Sequence, residues 1–185
     1  MTSRTLNTHK IVQTAMHLIE QQTPLTFSNI SRELGTHSQA LYNYFPDVTA
    51  LSASIDEAYN AKLVTRLQQQ LLGLAGEKAV LKFASVCRQY ALERFKITQF
   101  VLAIPRELLN DGSSSSQDLK NILKQILSSM GLNDGLLLNA MRLIRNLIIG
   151  EIVNVGRGWF TTETVEETVS FQQMLLVALH HLDEL

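Results

Sequence analysis

The sequence lacks most of what would mark a secreted, membrane-bound or metal-dependent protein. Cys87 is the only cysteine, so no internal disulfide can form, which fits a reducing, cytoplasmic setting. There are 3 prolines in 185 residues, and long stretches carry none, which favours helices. No uncharged apolar run reaches the roughly 18 residues a membrane span needs. The polar start, MTSRTLNTHK, precedes no signal-peptide core, so neither export nor a membrane is expected. Charge of one sign is missing too. The net charge is −1, and within residues 1–50 Arg4, Lys10 and Arg32 are balanced by Glu20, Glu33 and Asp47. A nucleic-acid-binding module usually carries a basic footprint, and this chain has none. No phosphate loop, nucleophile elbow or HExxH stands anywhere, so no catalytic residue set, cofactor or enzymatic turnover is expected. His180 and His181 lie near Asp183 and Glu184, but adjacent helical residues point roughly 100° apart, so no metal site is expected.

What remains is a chain with 45% hydrophobic and 18% charged residues, enough for a packed core. Strand alternation and internal repeats are absent; helical spacing dominates. A first helix is predicted from Leu6 to Gln21, with Ile11, Ala15, Leu18 and Ile19 on one face, ended by Gln22-Thr23-Pro24. A second starts near Phe27 with Thr26 as N-cap and stops at Gly35. A third runs from Ser38 to Phe45, ended by Pro46. Asp47 then caps a long fourth helix to about Leu72, closed by Gly73 and Gly76; it spans roughly 35 Å. Further helices are expected over Glu77–Arg94, Thr98–Leu109, Ser116–Met130, Asp134–Val155 and Thr164–Leu182. The Asp111–Ser116 and Gly156–Thr162 segments are expected loops. The fold class is therefore all-α, with about nine helices. The domains are 1–50, a three-helix N-terminal module, and 51–185, a helical C-terminal domain, joined by the helix at about 47–72.

Phe27 to Phe45 reads FSNISRELGTHSQALYNYF. Two helices crossing through a tight turn need a small residue at the crossing, a glycine in the turn and apolar inner faces. Ser31, Gly35, and Ile30, Leu34, Leu41 and Tyr44 supply them, so the segment reads as a helix-turn-helix. With its preceding helix, TFSNISRELG, ALYNYFPD and a long following helix, residues 7–55 resemble the tetracycline-repressor-like (TetR) family. The glycine turn and the Leu41-Tyr42-Asn43-Tyr44-Phe45 signature carry the resemblance. The Arg142–Leu185 segment, with Gly150, Gly158, Phe160 and Phe171, resembles one branch of that family's C-terminal domains. One departure stands out: Val48 takes the place of a lysine that often grips a phosphate.

The resemblance implies a DNA-binding transcriptional regulator. It is expected to be a repressor released from a palindromic, double-stranded operator by a small-molecule effector whose identity is unknown. It places the third helix in the major groove. Gln39 and Asn43 then read bases, since both can bond adenine in bidentate fashion, and Ala40 can touch a thymine methyl. His37 and Tyr42 fall mostly on the backbone. Thr26, Ser28, Thr36, Ser38 and Tyr44 complete the expected DNA-contacting set, with Arg4 or Lys10 as candidate cations. The alternative is a helical ligand-binding or protein-interaction module with a weak or vestigial DNA-binding head, which the neutral head and Val48 favour.

The C-terminal helices are apolar nearly all round, which demands cover on most sides. A second chain is the economical cover, giving a homodimer through a four-helix bundle. Its expected interface is Leu137, Ile144, Ile148 and Ile152 on one helix, with Phe171, Leu175, Leu179 and Leu182 on the last; Gly150 would allow close approach. The expected effector pocket is lined by Phe83, Cys87, Tyr90, Phe100, Met141 and Arg145. Arg142 and Arg145 need a partner or the surface; Glu151 or the partner subunit is the expected counter-ion, and an acidic ligand is the alternative.

Overall fold

A computed structural model describes residues 6–109, 114–160 and 166–184. The described residues form nine α-helices and no strand. They are α1 (Thr8–Glu20), α2 (Phe27–Leu34), α3 (Ser38–Leu41), α4 (Val48–Gln70), α5 (Gly76–Glu93), α6 (Phe95–Ala103), α7 (Ser114–Ser128), α8 (Asp134–Gly156) and α9 (Glu167–His180). Short 3-10 turns cover Arg106–Leu108 and Leu182–Glu184.

Two compact units emerge. The first gathers the described residues up to Ala61 with those between Lys96 and Ser114; the second holds Lys62–Phe95 and the described residues from Ser115 onward. The division falls inside α4 between Ala61 and Lys62, whereas the expected boundary stood at residue 50, and α6 from Lys96 on joins the first unit. Sequence order alone hid this, because α6 lies far along the chain from the helices it joins.

In the first unit α1 packs on α2, and α2 on α3. Ile11, Ala15, Ile30, Leu41, Leu51 and Ile55 are fully buried there. Asn7 caps α1 by accepting from the Lys10 amide at 2.8 Å, and Gln22 takes φ 57°, the left-handed backbone that ends the helix. Asp47 caps α4 as expected, accepting from the Ala50 amide at 2.8 Å. The single helix expected over Thr98–Leu109 is instead α6 plus a 3-10 turn, because Pro105 cannot continue the hydrogen-bond ladder. The Tyr59 and Thr98 hydroxyls, 2.8 Å apart, tie α4 to α6 inside this unit.

In the second unit α5 packs on α8 and α9, and α8 on α9. Within the described residues the last helix starts at Glu167; the expected start at Thr164 and part of the expected loop fall in residues 161–165, outside that description. Within the chain, close approach falls at Gly156. A Cβ at Gly156 would run into the Phe95 ring, whereas one at Gly150 meets no atom within 4 Å. Gly156→Ala is therefore expected to lose about 1–3 kcal/mol by overpacking. Thermal melts should find the same change nearly neutral in a Phe95→Ala background; an equal loss in both would mean that the ring is not the obstacle.

Candidate nucleic-acid interface

The three-helix head is built around Gly35. Thr26 accepts from the Asn29 amide at 3.1 Å and caps α2. At the other end Gly35 adopts φ 64° and ψ 37°, a conformation that costs glycine nothing. The Gly35 amide donates to the Arg32 carbonyl and the Thr36 amide to the Ser31 carbonyl, at 3.2 and 2.9 Å. Those bonds satisfy carbonyls that the helix end would leave open. Ser31 is buried and sits where α2 and α3 meet. Its hydroxyl donates to the Ser28 carbonyl and lies 3.0 Å from the Ser38 hydroxyl. With the Ser31 hydrogen committed to Ser28, the Ser38 hydroxyl is the donor between them.

Helix α3 is shorter than the expected Ser38–Phe45. After Leu41 the chain turns through Tyr42–Tyr44, with the Tyr44 amide bonding the Leu41 carbonyl three residues back at 2.9 Å. The residue before a proline is disfavoured in the helical region, and Phe45 precedes Pro46. Leu41 and Phe45 anchor the segment in the core, and Leu34 is half buried.

The expected DNA-contacting residues divide by exposure. Thr26, Ser28, His37, Gln39, Tyr42 and Asn43 are exposed, and Thr36, Ser38 and Ala40 are half buried. The Tyr42 ring stands edge-on to Phe27, centroids 4.9 Å apart, so a buried aromatic braces it. Tyr44 departs from both its expected roles. It is 38% exposed rather than an inner-face residue, and its hydroxyl donates to the Leu6 carbonyl at 2.8 Å instead of being open to a phosphate. Ser38 likewise turns its hydroxyl hydrogen inward. The Leu6 tie could not be read from sequence, since a main-chain carbonyl has no residue signature. Val48 is half buried and brings no charge to the start of α4. Of the two candidate cations, Lys10 is half buried and Arg4 lies outside the described residues.

The residues expected to line an effector pocket fall on three helices, α5, α6 and α8. Phe83, Cys87 and Tyr90 are buried on α5 and Met141 is half buried on α8, but Phe100 belongs to the first unit and Arg145 is exposed. Burial pushes the Cys87 thiol up to about 12. Burial also raises Tyr90, against the Arg94 guanidinium 4.8 Å over its ring. An open cleft of about 760 Å³ lies instead in the first unit, and none of these six residues lines it.

The expected dimer residues also need correcting. Leu137, Ile144, Ile148, Ile152, Phe171, Leu175, Leu179 and Leu182 are all buried within their own chain. The helical stripe was right and its direction wrong, because one chain's α5, α8 and α9 consume it as core. The exposed apolar side chains of α8 and α9 are Leu138, Val169, Met174 and Val177. Arg142 and Arg145 reach the surface. The buried Glu151 pairs with Arg88 of α5 at 2.8 Å, not with either of them, and Arg88 also holds Glu167 of α9 at 3.2 Å. His180 pairs with Glu77 at 2.9 Å and His181 lies 3.7 Å from Glu184, so the two histidines serve different partners. No described helix is long and apolar enough to cross a membrane.

The described residues thus form an all-helical chain with a three-helix head, a glycine-turned helix pair and a long fourth helix. Solved structures match it along nearly its whole length. A TetR variant from Acinetobacter baumannii AYE in complex with minocycline is 16% identical at a TM-score of 0.74, covering 97% of this chain and 98% of its own. A TetR transcriptional regulator from Streptomyces coelicolor is 15% identical at 0.74, covering 97% and 99%. The fatty acid degradation regulator FadR from Bacillus halodurans is 13% identical at 0.70, covering 98% and 96%. The chain has the fold of the TetR-family regulators. No protein-family model and no curated protein matches it.

Proposed function

We propose that the chain is a homodimeric, ligand-responsive transcriptional regulator, a repressor that leaves a palindromic operator when a small molecule binds. The observation that carries this reading is the pairing of exposed Gln39 and Asn43 with buried Leu41 and Phe45 on the segment after Gly35. The buried pair fixes the segment in the head, and the exposed pair presents amide groups that can bond adenine edges. Thr26, Ser28, Thr36, His37 and Tyr42 are then phosphate contacts, with Ala40 against a thymine methyl. With the hydroxyl hydrogens of Tyr44 and Ser38 committed within the chain, fewer phosphate contacts remain, and with no cation at Val48 few phosphates are neutralised, so binding should depend only weakly on salt.

The exposed Leu138, Val169, Met174 and Val177 are the side chains we assign to the partner subunit. Two heads related by a two-fold axis suit a palindrome with half-sites a helical turn or more apart. A ligand that binds better when the heads are wrongly spaced draws the population off DNA by its differential affinity. The minocycline-bound neighbour and the regulator of fatty acid degradation support a small-molecule effector of this kind. The missing cation at Val48 favours a second reading, a ligand-binding module whose head no longer grips DNA.

A mobility-shift titration on the DNA flanking the protein's own gene separates the two. Retardation of that DNA over scrambled DNA supports the regulator; equal, weak retardation of both supports the module. In the same assay Gln39→Ala is expected to lower affinity for the cognate site by about 1–3 kcal/mol while leaving scrambled DNA nearly unchanged. Equal losses on both would remove Gln39 as a base reader.

A further inference from the structure

Between Gly35 and Val48 the chain carries no lysine or arginine, and His37 is the one residue there that can take up a positive charge. Over residues 6–50 the fixed cations are Lys10 on α1 and Arg32 on α2. Lys10 is half buried, and Arg32 holds the Asn29 side chain at 2.6 Å. His37 stands in the turn, in extended backbone at φ −99° and ψ 144°, directly before α3. It occupies the capping position, yet its side chain makes no cap. The residue is exposed and, among the described residues, its ring makes no hydrogen bond or ion pair. The charged groups of the surrounding elements leave it so. Helix α2, which packs on α3, carries Arg32 and Glu33. Ser31 marks the face of α2 that meets α3, and Glu33 lies roughly 200° around the helix from it. Helix α1, which packs on α2, carries His9, Lys10, His17 and Glu20. On the segment itself Asp47 caps α4.

We infer that His37 makes DNA binding proton-linked: its protonated ring is a phosphate contact that switches on as pH falls through the range in which histidines titrate. A neutral imidazole offers one N–H donor, whereas the protonated ring offers two and a full charge. Phosphate stabilises the charged form, so the ring takes up a proton when DNA binds. Affinity therefore rises as pH falls and is lost again as pH rises. The contact weighs more here than in a basic head, because the Tyr44 and Ser38 hydroxyl hydrogens are already committed and Val48 brings no charge. The weak salt dependence expected of the neutral head belongs to the uncharged form of this ring. The inference rests on the regulator reading only in that the segment after Gly35 meets DNA.

The test is fluorescence anisotropy with the full chain, on the duplex flanking the protein's own gene and on a scrambled duplex. From about pH 8 to about pH 6 the affinity should rise about fivefold per subunit on both, because a phosphate contact carries no sequence. Over the same change the slope of log affinity against log salt should steepen by up to about 0.9 per subunit. His37→Gln should bind alike at both pH values and keep the shallow slope. His37→Lys should also bind alike at both, but with the steep slope, since its charge is fixed. The inference is overturned if the unaltered chain gains no affinity at the lower pH, or if neither duplex is bound there. It is overturned equally if His37→Gln keeps the gain, which would pass the proton to His9 or His17. Equal binding of the two duplexes counts against the regulator reading instead, while the comparison across pH still decides the role of His37.

Discussion

Arg88→Met is expected to lower the stability of the protein by about 3–5 kcal/mol, read as a shift of the urea midpoint at unchanged slope. Arg88 is 13% exposed and bonds Glu151, which is 2% exposed, and Glu167, which is 36% exposed. Removing the guanidinium leaves the Glu151 carboxylate buried among α5, α8 and α9 without its counter-ion. The desolvation cost of that charge is then uncompensated, and it dominates the loss. Glu167 can turn to solvent and adds little. The double change Arg88→Met with Glu151→Met should recover most of the loss, since apolar groups of similar volume need no counter-charge. A double variant as unstable as the single one would show that packing of the Arg88 stem, not charge, sets the effect.

Phe171→Ala should cost about 3–5 kcal/mol, because a fully buried ring leaves a cavity that α8 and α9 cannot close. The loss should be the same at every protein concentration beyond the ordinary mass-action dependence of a dimer. Val177→Asp is the contrasting change. Val177 is 61% exposed in its own chain, so the substitution should leave folding within about 0.5 kcal/mol yet weaken self-association, as sedimentation across a concentration series would show. If Phe171→Ala instead separated subunits without loosening the fold, the inward-facing residues would be the contact after all. A Val177→Asp protein that stays paired would move the contact to another face.

Phe171 shows how far the sequence reaches. Its helical spacing with Leu175 and Leu179 marked a buried stripe correctly, and the caps Thr26 and Asp47 and the stop at Gly35 were legible because each is a local, residue-specific device. Which body covers that stripe is a tertiary question, and period alone cannot separate a chain's own α5 from another subunit. The same limit explains Glu151, whose partner Arg88 lies 63 positions away, and Tyr44, whose hydroxyl finds a main-chain carbonyl 38 positions away. Gly156 was read as the start of a loop, yet it ends α8 against Phe95. The exposed amides Gln39 and Asn43 were legible because they lie out of step with Leu41 and Phe45.

The sealed environment of the single thiol has a practical outcome. With its proton held until about pH 12, Cys87 presents almost no thiolate near neutrality, so alkylating reagents should reach it only through transient opening of the second unit. A fluorophore can then be attached at a newly introduced surface cysteine without removing the native one. Slow modification of the native sulfur, followed by mass spectrometry, becomes a clock for how often the α5 layer breathes.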